Sequence, residues 1–279
     1  MATCRHPLPH SPNRGIIAGM TTQSSAFIIQ PSAFLFDLDG VFYTDTRPIP
    51  GGSTVIARLR AQGVPFRFVT NTTGRGRAAL ARKLQSFGVE AHPSEIFQPA
   101  VAAAQFLTER DASGVFFVAN EARAEFSAAR ENTRQPDYVV LGDLGDDWTY
   151  ARFNQALRYL LNGAQLIALG MSRYWHADDG PRLDVGPLAS ALAYATGQPP
   201  IVLGKPARDF FHLAARDLHI DPAQCVMVGD DIVTDIGGAQ AAGMRAILVR
   251  TGKFRPGDLA GQVQPDAIID SIADLIIDE

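Results

Sequence analysis

Ala33 to Val41 reads AFLFDLDGV, and how this stretch is read decides the fold. Ala33, Phe34, Leu35 and Phe36 form a continuous apolar run, too short for a typical helix and closed by glycine, which predicts a buried parallel strand. The run ends in carboxylates. Asp37 and Asp39 are spaced i, i+2, and in an extended segment such residues share one face, so both acids can look into one space beyond the strand's C-terminal edge. Open α/β sheets bind ligands at that edge. Gly40 then lets the chain turn sharply away. Taken alone, Asp-x-Asp-Gly is equally an Asx turn closing a strand or one arm of a calcium loop.

Later stretches bear on that choice. Val64 to Asn71 (VPFRFVTN) is another apolar strand, ending in the hydroxyl of Thr70 and the amide of Asn71. Ile201 to Pro206 (IVLGKP) delivers Lys205 just after an apolar run. Cys225 to Asp235 (CVMVGDDIVTD) ends in Asp230 and Asp231, with Asp235 a helical turn further on. Strands ending in DxD, TN, K and GDDxxxD, in that order, are hard to obtain from packing alone. In this the chain resembles the haloacid dehalogenase superfamily of phosphotransferases. The residues that carry the likeness are Asp37, Asp39, Thr70, Asn71, Lys205, Asp230 and Asp235, and it runs from about Ala33 to the C-terminus.

A length of 279 residues allows one large or two modest domains with a substantial core. The net charge of −4, with no basic block, argues against nucleic acid as the main partner. No apolar run approaches the roughly 18 to 20 residues that cross a bilayer, which predicts a soluble protein with no membrane partner. Cys4 and Cys225 permit neither a disulfide framework nor a CxxC metal knuckle, which fits a reducing cytoplasm. Residues 1–30 contain no Asp or Glu and only Arg5 and Arg14 as fixed positive charges. They read as a disordered tail or an over-long start with Met20 as initiator; a transit peptide would usually carry more arginine on an amphipathic pattern.

Along the rest of the chain, Phe42 to Pro50 has the turn chemistry of an exposed flap, and helices are expected from Pro50 to Gln62 and from Arg75 to Phe87. Only about thirty residues separate Asp37 from Thr70, room for the flap and one crossover helix. A further domain must lie between Asn71 and Lys205, where on the order of 100 residues remain after one βα unit. Strands are expected there at Val115–Ala119, Tyr138–Leu141 and Gln165–Leu169, with a helix over Trp148–Leu161. The fold class expected is α/β: a Rossmann-like core with a parallel sheet, built from 31–99 and 200–279, interrupted by an α/β cap over 100–199. The resemblance narrows accordingly to the NagD-like class with a C2 cap. Within it the chain is similar to the group of haloacid dehalogenase-like hydrolase domain-containing protein 2 and phospholysine phosphohistidine inorganic pyrophosphate phosphatase, through FVTNTT, IFQ, LGKP, GDDxxxDxGGAQxxGM and VRTGKFR.

Leu141 to Trp148 (LGDLGDDW) superficially repeats VGDDIVTD, but it precedes Lys205 and lies in the insert. Asp143, Asp146 and Asp147 are therefore read as turn and helix-capping residues. A helix is expected over Asp209–His219, strands at Arg245–Val249 and Ala267–Ile269, and a terminal helix over Ser271–Ile277; Gly237 and Gly238 are expected to pack closely on the sheet.

A phosphate dianion repels a carboxylate, so attack by Asp37 needs a cation between them. The resemblance implies Mg2+, held by the Asp37 carboxylate, the main-chain carbonyl of Asp39 and Asp230. Asp235 and Asp231 would orient its waters, Asp231 being alternatively exposed. The resemblance also implies Asp37 as the nucleophile, Asp39 as acid and then base, and Thr70, Asn71 and Lys205 as ligands of the phosphoryl oxygens. A halide leaving group needs no proton, so the presence of Asp39 favours phosphate esters or anhydrides over haloacids. A non-catalytic phosphate-binding or scaffold protein is the reading from another class. Substrate choice is expected in the glycine- and proline-broken loop Gly170–Leu188, through Tyr174, Trp175 and His176, unless the aromatics pack inside the cap. The expected partner is a small phosphorylated molecule, with phosphohistidine, phospholysine and pyrophosphate as candidates. Dimerisation through the cap is common in that class.

Overall fold

A computed structural model describes residues 32–177 and 179–277. The expectations for residues 1–30 and for the side chain of His176 lie outside what is described.

Six parallel strands form the first sheet, in the order Ala267–Ile269, Arg245–Val249, Cys225–Gly229, Ala33–Phe36, Phe66–Val69 and Ile96–Phe97. From Ala33–Phe36 the chain winds outward to Ile96–Phe97, then returns on the other side through Cys225–Gly229. Strand order therefore reverses between Ala33–Phe36 and Cys225–Gly229, and in a doubly wound sheet the crevice beyond that reversal is where ligands sit. Asp37 N donates to Val228 O at 2.9 Å, so the two strands end side by side. Alternation along the first strand divides its side chains between two apolar layers. Phe34 and Phe36 join Phe42, Phe66 and Phe68 on one face, with ring centroids 5.2 to 6.4 Å apart. Leu35 joins Met227, Leu248 and Phe210 on the other. Each fully buried phenylalanine contributes about 2–3 kcal/mol of transfer free energy, which anchors the strand that carries Asp37.

A second sheet has five parallel strands in the order Ile201–Val202, Gln165–Ala168, Tyr138–Leu141, Ser113–Phe117 and Arg130–Glu131. Ile201–Val202, the run expected to lead to Lys205, thus belongs to the second sheet, and Lys205 lies on the connection back to the first. Between the sheets runs a helix that the sequence reading did not anticipate, Pro99–Glu109. Its alanines at 100, 102, 103 and 104 are small enough to let it lie against the helix Arg208–Asp217 on one side and against Phe116 and Phe126 on the other. One apolar cluster consequently runs from Leu35 and Met227 through Ala103 and Phe106 to Val140 and Ile167.

Several local expectations are corrected. Gly170–Leu188 is not a loop throughout: Tyr174–Ala177 pairs antiparallel with Gly180–Leu183, and the helix Val185–Thr196 follows. Ser271–Ile277 makes only a 3-10 turn at Ile272–Asp274, because so short a segment gains too few hydrogen bonds to offset helix nucleation. The helix expected from Trp148 begins at Tyr150 and is capped by Thr149 Oγ1, which accepts from Arg152 N at 3.2 Å, so no acid caps it. Gly238 packs against Phe211 and Pro206, where a Cβ would come within 2.6 and 2.8 Å, so its close neighbour is the segment after Lys205 and not the sheet. Among the described residues no helix is long and apolar enough to cross a membrane.

Candidate active site

The end of Ala33–Phe36 presents Asp37, buried at 7% exposure, while Leu38 turns into the apolar layer and Asp39 stands exposed. Gly40, at φ +86°, carries the chain away; a Cβ there would lie 2.1 Å from Asp230 Oδ2. Close approach as well as the left-handed backbone therefore requires glycine. From Cys225–Gly229 come Asp230 and Asp231, followed by the single π-helical turn Ile232–Gly237, which folds Asp235 back under the strand end. Gly229 permits this, since a Cβ on it would meet Asp235 Oδ2 at 2.4 Å.

Lys205 enters from the second sheet and is fully inside. Its Nζ donates to Asp37 Oδ1 and Asp235 Oδ1, each at 2.7 Å. Asn71 positions it: Asn71 Nδ2 donates to Lys205 O at 2.9 Å, and Lys205 N donates to Asn71 Oδ1 at 2.7 Å. Thr70 is buried, and its Oγ1 lies 3.0 Å from the hydroxyl of Thr72. Asp235 Oδ2 accepts from the N–H groups of Asp230 and Asp231, both at 3.2 Å, so Asp235 braces the turn as well as Lys205. Asp231 faces elsewhere: its Oδ1 accepts from Val233 N and Thr234 N at 3.0 and 2.9 Å, capping the π-turn, and its Oδ2 lies 3.5 Å from Lys253 Nζ.

One loop was missed as part of the site. Thr251 Oγ1 donates to Gly40 O, and Lys253 N donates to Asp230 Oδ2 at 2.7 Å. Between them Gly252, at φ +65°, leaves room for Asp230, where a Cβ would fall 2.1 Å from Oδ2. The signal was in VRTGKFR, a glycine flanked by a hydroxyl and a cation just beyond a strand end.

Electrostatics follow from burial. Asp230 is pushed up to about 7, first by loss of water and then by the neighbouring charge of Asp37, with the Lys253 N–H opposing. Asp235 is raised by burial against the pull of Lys205. Burial pulls the Lys205 ammonium down, yet Asp235 and Asp37 outweigh it and hold it well above the ordinary lysine range. Burial also works on Asp231, but the Thr234 N–H and Lys253 outweigh it, and its carboxyl lies below the usual range.

One oxygen from each of Asp37, Asp230 and Asp235 lies within 4.8 Å of the others. Asp230 Oδ1 is buried without a hydrogen-bond partner among the described residues. Buried carboxylates outnumber the single ammonium, and the donors are hard oxygens, so the set fits a small divalent cation of the magnesium type.

Beside the second sheet, in the separate hairpin of Tyr174–Ala177 and Gly180–Leu183, Tyr174 and Trp175 stand 56% and 40% exposed, so neither packs inside. Arg182 ties their hairpin to the Leu141–Trp148 loop through Asp146 at 3.6 Å, and Asp143 of that loop lies near Gly74, where a Cβ would come 3.5 Å from its Oδ2. A surface cleft of about 630 Å3 opens at the opposite edge of this sheet, among Ser113, Asp137 and Gln165, away from Asp37.

Fold and site together define a hydrolase of the doubly wound α/β type with an acidic strand-end centre. Residues 34–132 match the model for haloacid dehalogenase-like hydrolases and residues 202–275 that for HAD-hydrolase-like proteins. Human phospholysine phosphohistidine inorganic pyrophosphate phosphatase is 39% identical over 249 residues, 87% of this chain and 92% of that protein. Haloacid dehalogenase-like hydrolase domain-containing protein 2 from Bos taurus is 39% identical over 226 residues, 81% of this chain and 86% of its own. Among solved structures, the p-nitrophenyl phosphatase from Archaeoglobus fulgidus superposes with a TM-score of 0.79 at 28% identity, covering 88% of this chain and 97% of that one. The chain belongs to the haloacid dehalogenase-like hydrolase family.

Proposed function

We propose that the protein is a magnesium-dependent phosphatase that works through an aspartyl-phosphate on Asp37. The observation that carries this reading is the Asp37–Lys205 contact at 2.7 Å beside the Asp230 oxygen that has no hydrogen-bond partner among the described residues. Asp37 attacks phosphorus, the bond to the leaving group breaks, and Asp39 gives its proton to the departing atom. Water then attacks the same phosphorus and yields its proton to Asp39, releasing phosphate and restoring the Asp37 carboxylate. Lys205 uses two of its three N–H donors on Asp37 and Asp235 and keeps one for a phosphoryl oxygen. Thr70 offers a hydroxyl at the same rim, and Asn71 acts through the Lys205 main chain. Magnesium bound by Asp37, Asp230 and the Asp39 carbonyl would supply the positive charge that offsets carboxylate–phosphate repulsion.

In this reading 32–99 with 203–277 form the catalytic core, and 100–202, which takes in the second-sheet strand Ile201–Val202, form a cap that selects the substrate through the hairpin of Tyr174–Ala177 and Gly180–Leu183. The related phosphatases support phosphate monoesters, phosphoramidates or pyrophosphate as substrates, and the two cysteines fit a reducing cytoplasm. The test is phosphate release from p-nitrophenyl phosphate, with and without magnesium, by wild type and Asp37→Asn. Loss of at least about 10^3-fold in the variant is expected. Equal rates for the two proteins would remove Asp37 as nucleophile, and an inactive wild type that still binds phosphate would favour the non-catalytic reading.

A further inference from the structure

The centre described above accounts for the phosphoryl group but leaves a cationic lip beside it without a role. Tyr43, on the flap after the catalytic strand, is returned to that strand's end: Gly40 N donates to Tyr43 O at 2.7 Å, and Asp39 bridges to Tyr43 along the backbone. Its ring is buried at 4% exposure, against Phe87. Over that ring sits Lys83 of the helix Arg77–Ser86, with Nζ 3.8 Å from the ring centroid. Arg75 lies on the loop between Asn71 and this helix, exposed, and its charge acts on both Tyr43 and Lys83.

Two features mark the pair as a site. Neither Arg75 nor Lys83 is ion-paired with a carboxylate among the described residues, although Asp39 and Asp45 are close enough to be felt. Lys83 is half-buried, and burial followed by Arg75 lowers its pKa, with Asp39 and Asp45 opposing only in part. A partly desolvated ammonium in the field of a second cation gains from an anion that joins it. The aromatic face beneath it supplies only part of that gain. The position is also directional. Tyr43 lies in the field of Asp39, Asp37, Arg75 and Lys205; its backbone bridges to Asp39, the acid that protonates the leaving group, while its ring carries Lys83.

The geometry points to Lys83 and Arg75, standing over Tyr43, as a subsite for a negative charge on the leaving group. It rests on the phosphatase reading and deepens it: favoured substrates carry a second anionic group, phosphate or carboxylate, close to the phosphoryl group transferred. Such a group enters on the Asp39 side, opposite the Lys205 side that receives the phosphoryl oxygens.

The test compares substrates that differ in leaving-group charge but not in scissile bond: phenyl phosphate and 3-carboxyphenyl phosphate, with pyrophosphate as the second anionic probe. Wild type is expected to favour the carboxylated ester in kcat/KM by about tenfold, mostly through KM, and to lose that preference as salt is raised. Lys83→Met should bring the ratio of the two esters close to one, Lys83→Arg should keep it, and Arg75→Gln, at an exposed position that folding does not need, should lower it about threefold. A ratio unchanged in Lys83→Met and Arg75→Gln, both esters falling together, would assign the lysine to folding alone and overturn the subsite. Turnover of phenyl phosphate with no preference for charge in wild type would also overturn the subsite while leaving the phosphatase reading intact. Failure to turn over either ester would overturn both.

Discussion

Two parallel sheets of this molecule each end in an acidic, glycine-containing turn, and only one of those turns belongs to a candidate centre. Val228–Asp235 and Leu141–Trp148 look alike as sequence. In the first, Asp230 is 1% exposed, has an oxygen with no hydrogen-bond partner among the described residues, and faces Asp37 and Asp235. In the second, Asp143 Oδ1 closes a turn by accepting from Gly145 N at 2.7 Å, and Asp146 and Asp147 meet Arg182 and Arg152 at 3.6 and 3.9 Å in water. Carboxylates that already have partners and solvent have no electrostatic need of a cation. What separates the two turns is convergence: the first receives an acid and a lysine from distant parts of the chain, so its charges are desolvated together.

Glycine substitutions break the comparison most strongly. Gly252 and Gly145 both have positive φ, +65° and +55°, but a Cβ on Gly252 would overlap Asp230, whereas none of the described residues lies within 4 Å of one on Gly145. Gly252→Ala is expected to displace Asp230 and weaken magnesium binding by about 10- to 100-fold, read by calorimetric titration of the metal. Gly145→Ala should cost only the backbone strain of about 1 kcal/mol, read by chemical denaturation, with metal binding as in wild type. Equal metal affinities in the two variants would mean that Asp230 is not a ligand.

A smaller effect sharpens the electrostatic side. Asp230 rises from the ordinary 3.8 to about 7 in the folded chain. Between those values the metal-free native state holds the extra proton, so stability falls as pH rises through that window. In EDTA the Tm should therefore decline from pH 5 to pH 8. Magnesium, which competes with that proton, should raise it more at pH 8 than at pH 5. A Tm in EDTA that climbs over this range would contradict the buried, protonated Asp230.

The smallest effect is expected in the second turn. Asp143→Ala should leave magnesium activation within twofold and lower stability by no more than about 1 kcal/mol, the value of a lost turn hydrogen bond. Loss of metal activation would show that the two turns are not so different after all.

Much of the fold could be read from short apolar runs with polar ends. The strands at Ala33–Phe36, Tyr138–Leu141, Arg245–Val249 and Ala267–Ile269 lie where the sequence places them; the first three are largely buried on both faces and leave an unbroken apolar signature, and the half-buried edge strand Ala267–Ile269 keeps the same apolar run. Pro99–Glu109 escaped notice since its small alanines show no apolar stripe; their use is in close approach to two partners at once. Ile201–Val202 was legible as a strand but not as a member of the second sheet, for a two-residue run carries no information about its neighbour. In the site, the residue types of Asp37, Lys205, Asp230 and Asp235 were legible and the structure brings them together. The support from Thr251–Lys253 was not, because its function lies in backbone N–H groups and in the missing side chain of a glycine.

By itself the sequence determined that strands end in acids, a hydroxyl, an amide and a lysine, since alternation and glycine turns are properties of neighbouring residues. Only the tertiary structure decided which acidic turn is buried, that Lys205 lies between Asp37 and Asp235, and that one oxygen of Asp230 has no partner among the described residues. Those outcomes depend on which distant groups share a volume from which water is excluded, and the strength of a charge's interactions is set by that volume and not by its place in the chain.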